Sequence, residues 1–233
     1  MPLTGRACIV TGAGRGIGRA IALRLSAAGA SVLAAARTAL ELEETVSESL
    51  TNPGPCQAQV ADVTKLEDIE KLIARCLSEY GRLDALINNA GVAPLAPIEE
   101  MSDLMFEKLI EVNVKSVFRA CRAAWPALKD TGGTIINISS LAADDPFPGF
   151  AAYGGTKAFV NTFTRALANE GRPHGIRVFA VAPGAVETKA LRTPFPDFPA
   201  DQVLQPDQVA AVVEVLLDER CRYASGEIIR VKR

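Results

Sequence analysis

The sequence predicts a doubly wound α/β fold: a single domain in which helices cover both faces of a parallel sheet. Short apolar runs recur at residues 7–10, 31–36, 56–60, 85–87, 134–138, 177–181 and 227–231, most of them too uniformly apolar to own a wet face. Segments with helical spacing alternate with them, at 16–29, 39–50, 66–80, 102–128, 153–171 and 206–217. Strand and helix in that alternation imply parallel strands joined by right-handed crossovers. The third observation is position: most of the unusual residues follow directly on the apolar runs, at the strand carboxyl ends where such a sheet places ligands.

Composition supports one soluble body. A chain of 233 residues with 48% hydrophobic content can bury a sizeable core, on the order of 70% of the surface its unfolded form exposes. No Pro/Gly/Ser linker or charge run divides it. A net charge of −2 with scattered Lys and Arg gives no footprint for nucleic acid, and no stretch reaches the apolar length of a membrane span. The segment Met1-Pro-Leu-Thr-Gly-Arg6 carries no apolar signal core, so a cytoplasmic protein is expected. The five cysteines are widely spaced, with no Cys-x-x-Cys and His174 as the one histidine. Structural thiols are expected, with neither a disulfide nor a metal site.

Taken in order, the strand ends carry the chemistry. The first run leads into Thr11-Gly-Ala-Gly-Arg-Gly-Ile-Gly18, spaced Gly12-x-x-x-Gly16-x-Gly18. This is not Gly-x-Gly-x-x-Gly, because Ile17 and Arg19 stand where its last glycine belongs. Glycines here still allow a tight turn and the close approach of a pyrophosphate to a helix N-terminus, although a plain strand-to-helix turn uses the same residues. The second run ends Ala34-Ala-Ala-Arg37-Thr38, with no acid placed to accept from an adenosine ribose. Arg37, with Arg15 in the glycine loop, suits a 2′-phosphate, which points to NADP(H) over NAD(H); the alternative is that Arg37 caps a surface turn.

Later in the chain, Ser139-Ser140 closes the fifth run, and Tyr153 and Lys157 stand four residues apart on a helical segment. Residues i and i+4 share a helix face, so a phenol and an ammonium point into one space. A fixed positive charge favours the phenolate, which is expected to bring Tyr153 toward the working range of a general acid or base. Ser140 adds a hydroxyl for a substrate oxygen. Alone, Tyr-x-x-x-Lys also describes a solvated helix face.

The set Thr11-Gly12-x-x-x-Gly16-x-Gly18, Asp62-Val63, Asn88-Asn89-Ala90-Gly91, Asn113, Ser140, Tyr153-x-x-x-Lys157 and Pro183-Gly184 resembles, in order and spacing, the classical short-chain dehydrogenase/reductase family over nearly the whole chain. The resemblance implies that Asp62 and Val63 border the adenine, that Asn89, Ala90 and Gly91 pass behind the cofactor, and that Val186 and Thr188 contact the nicotinamide amide. It also implies that Tyr153 is the general acid and base, that Lys157 holds ribose hydroxyls, that Ser140 polarises the carbonyl and that Asn113 anchors a relay water. For single residues simpler roles stay open: Asp62 as a helix N-terminal residue, Asn113 as a buried amide, Ser139 or Ser140 as a strand-end hydroxyl.

Two departures stand out. The chain ends in a short basic tail, Glu227-Ile-Ile-Arg-Val-Lys-Arg233, and the segment 186–206 is brief and rich in Pro and Phe, which suggests a loop-like substrate lid. Leu95, Leu141, Phe147, Phe150, Leu191 and Phe195 suggest an apolar or partly aromatic pocket, with plain loop packing as the alternative for each. The expected activity is reduction of a small, largely apolar carbonyl compound with NADPH, or the reverse oxidation. A 3-oxoacyl-(acyl-carrier-protein) reductase ranks below it, because Thr131 and His174 stand where such enzymes tend to offer arginines to the carrier. The rival from another class is a non-catalytic NADP(H)-binding regulator. Apolar stripes at Phe159, Phe163 and Ala166, and at Val114, Val117, Phe118 and Cys121, suit either core packing or an interface between copies, and the resemblance implies the latter, in a homodimer or homotetramer.

Overall fold

The computed structural model describes residues 2–233. Its strands are β1 (Ala7–Thr11), β2 (Ser31–Ala36), β3 (Cys56–Val60), β4 (Ala85–Asn88), β5 (Thr134–Ile138), β6 (Arg177–Pro183) and β7 (Ile228–Val231). They form one seven-stranded sheet in the order β3-β2-β1-β4-β5-β6-β7, every pair parallel. The chain starts at β1, runs outward to β3, then returns to place β4 on the other side of β1. That reversal opens a crevice at the carboxyl ends of β1 and β4.

Helices α1 (Gly16–Ala27), α2 (Ala39–Glu48), α3 (Leu66–Tyr80), α4 (Asp103–Leu109), α5 (Ser116–Thr131), α6 (Ala151–Gly171), α7 (Lys189–Arg192) and α8 (Pro206–Leu216) complete the elements. The period-2 geometry of a strand explains how one sheet serves two cores. From β1, Cys8 and Val10 pack with Ile21, Leu25, Leu42, Val209 and Val213 of α1, α2 and α8. Ala7 and Ile9 point the other way, among Ile69, Leu72, Val117, Ala124 and Val160 of α3, α5 and α6. Both faces are therefore dry, which is why the strands read as continuous apolar runs.

Three expectations need correction. The segment 102–128 is not one regular helix: a π-helical turn at Ile110–Lys115 separates α4 from α5 and carries Asn113 inward. Such a turn inserts extra backbone and rotates the side chains that follow it. The segment 186–206 is not wholly loop. It holds α7, whose N-cap Thr188 accepts from the Leu191 N–H at 3.3 Å, and a 3₁₀ turn at Ala200–Gln202. The outer stripe is also narrower than expected. Val117 and Cys121 belong to the core, whereas Phe118 and Phe159 are exposed and flank Phe163 at ring distances of 6.2 and 5.3 Å.

Among the described residues no helix is long and apolar enough to cross a membrane.

Candidate active site

The glycine loop is built by close packing against the loop after β4. Thr11 Oγ1 accepts from the Asn89 and Ala90 N–H groups at 3.0 and 3.1 Å, and Asn89 Nδ2 donates to the Thr11 and Gly12 carbonyls at 2.9 and 3.2 Å. Gly12 has φ +65°, and a Cβ on it would lie 2.8 Å from Asn89 Nδ2. A Cβ on Gly18 would lie 2.2 Å from the Gly12 carbonyl oxygen. Both positions therefore exclude any side chain. Behind this loop, α1 begins with Arg15 as an N-cap that makes no side-chain cap, with no acid in the first turn. Its free N–H groups and dipole leave a fitting seat for a pyrophosphate.

The catalytic candidates meet across β5 and α6. Ser139 is buried and donates to the Lys157 carbonyl at 3.3 Å, a backbone tie between strand and helix. Ser140, half-buried, accepts from the Ala142 N–H at 3.2 Å as cap of a short 3₁₀ turn, which leaves its hydroxyl proton to be donated toward Tyr153. Of the two serines, Ser140 is the one offered to the site. Lys157 is buried, and its Nζ donates to the Ile138 carbonyl at 2.8 Å while lying 5.8 Å from the Tyr153 ring centre.

Electrostatics here differ from the expectation of a depressed phenol. Burial raises the pKa of Tyr153, and a hydrogen bond with Ser140 pulls it back only in part. Burial also lowers the pKa of Lys157 from 10.5 to about 8. Desolvation is the leading cause at both groups, because burial disfavours the charged form of each, phenolate and ammonium alike.

Asn113 is bonded at both ends of its amide. Its Oδ1 accepts from the Val92 N–H at 2.9 Å, and its Nδ2 donates to the Val92 carbonyl at 2.8 Å and to Thr156 Oγ1 at 3.2 Å. It thereby ties the loop after β4 to α6, just behind the cavity wall. Gly91 passes between the two, where a Cβ would stand 3.4 Å from Asn113 Oδ1 and 3.6 Å from Lys157 Nζ.

Gly12, Arg15, Gly16, Ile17, Gly18, Arg37, Asp62, Val63, Asn89, Ala90, Gly91, Ser140, Tyr153, Lys157, Pro183, Gly184, Val186 and Thr188 all line one cavity of about 2020 Å³. That is well above the roughly 300–1,000 Å³ of a single small-ligand pocket, so a dinucleotide and a substrate fit together. Thr188 leans over the glycine loop, with its Cγ2 3.2 Å from where a Gly16 Cβ would be. At the far end, Asp62 resists desolvation, which would raise its pKa. Hydrogen bonds from Thr64 and the charge of Arg37 hold the carboxyl below its usual value.

The apolar candidates gather on the other side of Tyr153. Phe150 packs against Tyr153, Phe147 and Phe195 at ring distances of 5.3, 5.2 and 6.4 Å, and Leu95, Leu141 and Leu191 line the same space. Arg192 secures this wall: it forms a forked pair with Glu187 at 2.8 and 2.6 Å and donates to the Pro196 and Phe198 carbonyls at 3.1 and 2.6 Å. Thr131 and His174, by contrast, sit ahead of β5 and β6, at the amino ends of the strands and away from the site.

Several cavity residues carry no signal in the sequence. Arg230 and Lys232 reach the cavity only through the fold, and Arg230 is paired with Asp144 at 2.7 Å. Glu41 is the most consequential. It lies on the cavity wall, and its carboxylate pairs with Arg15 at 2.9 Å, so an acid does stand beside the cationic residues after β1 and β2. Linear order hides it, because Glu41 belongs to the first turn of α2 and not to the end of β2.

A family model described as short chain dehydrogenase matches residues 6–197. An uncharacterized oxidoreductase of Methylorubrum extorquens is 37% identical over 97% of this chain and 96% of its own length. A 3-oxoacyl-[acyl-carrier-protein] reductase of Thermotoga maritima is 33% identical over 99% of this chain and 98% of its own. Among solved structures, a 7α-hydroxysteroid dehydrogenase complexed with NADH and 7-oxo glycochenodeoxycholic acid superposes with a TM-score of 0.93 at 30% identity, covering 99% of this chain and 94% of that one. The chain therefore belongs to the short-chain dehydrogenase/reductase family, oxidoreductases that use a nicotinamide cofactor on alcohol and ketone groups.

Proposed function

We propose that this protein reduces a small, largely apolar ketone or aldehyde with NADPH, and runs the reverse oxidation. The observation that carries the reading is the convergence of Ser140, Tyr153 and Lys157 on one cavity, between the glycine loop and the Phe150 cluster. Arg15 and Arg37 pair with the 2′-phosphate, Asp62 and Val63 border the adenine, and Asn89, Ala90 and Gly91 back the cofactor. Val186 and Thr188 hold the carboxamide end. NADPH, when bound, supplies the hydride.

The chain's own residues handle the oxygen and the proton. Ser140 donates to the substrate oxygen as negative charge develops there. Tyr153 delivers the proton to that oxygen, and its raised pKa keeps the phenol protonated for reduction at neutral pH. Lys157 holds the ribose hydroxyls, and Asn113, its amide committed to Val92 and Thr156, serves to clamp the loop after β4 to α6 in place of anchoring a relay water. The segment 186–206, secured by Arg192, covers the substrate.

The likeness to a 3-oxoacyl-[acyl-carrier-protein] reductase supports a second reading, a 3-oxoacyl thioester on its carrier. It ranks lower because neither Thr131 nor His174 offers the carrier an arginine. The test follows NADPH absorbance with free ketones, aldehydes and a carrier-bound 3-oxoacyl thioester. Faster turnover of free carbonyls is expected; turnover of the thioester alone would replace the first reading by the second.

A further inference from the structure

Around the adenosine end, the two cationic residues are not equivalent. Arg37 makes no hydrogen bond or ion pair with any described residue, and its charge acts on Asp62. Arg15 is already engaged, its Nη1 2.9 Å from Glu41 Oε1. The position of Glu41 is built into the fold. Arg19 Nη2 donates to both the Gly14 and the Glu41 carbonyls, at 2.6 and 3.2 Å, and Thr45 Oγ1 bridges the Ala13 and Glu41 carbonyls at 3.0 Å each. A Cβ on Gly14 would stand 2.9 Å from Glu41 Cβ and 3.2 Å from its Oε2, so the bare glycine is what lets Glu41 pack against the loop.

We propose that Glu41 is a specificity-determining residue for the cofactor. Its carboxylate competes with a 2′-phosphate for Arg15 and accepts a hydrogen bond from a free 2′-hydroxyl. A dianion arriving between Arg15 and Arg37 must share Arg15 with Glu41 and sit beside a like charge, which costs affinity for NADPH. A ribose without the phosphate instead offers a hydroxyl donor to an acceptor already in place, which gains affinity for NADH. The protein thus binds both dinucleotides, with its preference for NADPH muted by one side chain. This deepens the cofactor reading proposed above and rests on the same site.

The test is calorimetric titration of NADPH and of NADH, without substrate, into the wild-type protein and into Glu41→Gln, Glu41→Asp, Arg15→Met, Arg37→Asp and the double variant Glu41→Gln/Arg15→Met. The Arg15–Glu41 pair is partly exposed, at 59% and 29%, so each effect should be about two- to fivefold. Glu41→Gln should tighten NADPH and weaken NADH by that factor. The gain for NADPH should shrink when Arg15 is already absent, and Glu41→Asp, which keeps the charge but withdraws its reach, should shift the ratio in the same direction as Gln. An unchanged ratio of dissociation constants in both Glu41 variants, with melting temperatures like wild type, overturns the proposal. The NADPH preference itself is judged separately, by the wild-type ratio and by Arg37→Asp. Tighter wild-type binding of NADH would sink that preference, while a shift on changing Glu41 would still support the role of Glu41.

Discussion

The Lys157 ammonium donates to the Ile138 carbonyl at 2.8 Å, which ties the first turns of α6 to the carboxyl end of β5. This one bond places Tyr153, one helical turn earlier, beside Ser140, two residues beyond the strand. It also leaves the ammonium buried without a carboxylate partner, and burial accordingly lowers its pKa to about 8.

That burial has a stability consequence with a definite sign. Between about pH 8 and 10.5 an unfolded chain binds a proton on Lys157 that the folded protein releases, so this residue makes stability rise with pH across the window. Lys157→Met should therefore be more stable relative to wild type at pH 7, and its advantage should fall by about 3 kcal/mol by pH 11. Denaturant unfolding of both proteins without cofactor checks this; a difference independent of pH would show that Lys157 titrates normally.

Tyr153→Phe should fold and bind cofactor as wild type while kcat falls by about two to four orders of magnitude, the range for a positioned acid. Steady-state kinetics beside cofactor titration separate the two effects. Turnover within threefold of wild type would remove the phenol from the reaction.

Ser140→Ala should lower kcat by about a hundred- to a thousandfold, as for the loss of one donor to a developing oxyanion. The same change removes the interaction that holds the Tyr153 pKa down. The limb of the pH–rate profile that reports the phenol should consequently move to higher pH. A profile of unchanged shape would leave Ser140 without influence on Tyr153.

The segment 186–206, proposed above to cover the substrate, is tethered by Arg192 to Glu187, Pro196 and Phe198. Amide exchange over residues 190–202 should slow on NADPH binding, more than in α3, which lies outside the site. Equal, unchanged exchange in both segments would make the lid a fixed wall.

Phe118, Phe159 and Phe163 form an apolar patch on α5 and α6, with Phe118 43% and Phe159 37% exposed. We propose that a second copy of the chain covers it. Light scattering should give the mass of a dimer or tetramer, and Phe118→Glu should reduce it. A wild-type monomer at every concentration would refute this use of the patch.

Local spacing along the chain encodes the sheet and the first-order layout of the site. Alternating runs imply the wound sheet because a strand dry on both faces must be apolar throughout, and Tyr153 and Lys157 pair because four residues make one helical turn. The glycines from Gly12 to Gly18 and Arg37 were legible because strand ends in such a sheet converge on the ligand crevice. Contacts between residues brought together by folding are absent from that spacing. Glu41 reaches Arg15 across 26 residues of chain, the π-helical turn aims Asn113 at Val92, and Arg192 of α7 is paired with Glu187. The shifts at Tyr153 and Lys157 belong to the same class. Each depends on which distant groups exclude water from a side chain or meet its charge, and those neighbours exist only once the helices have docked on the sheet.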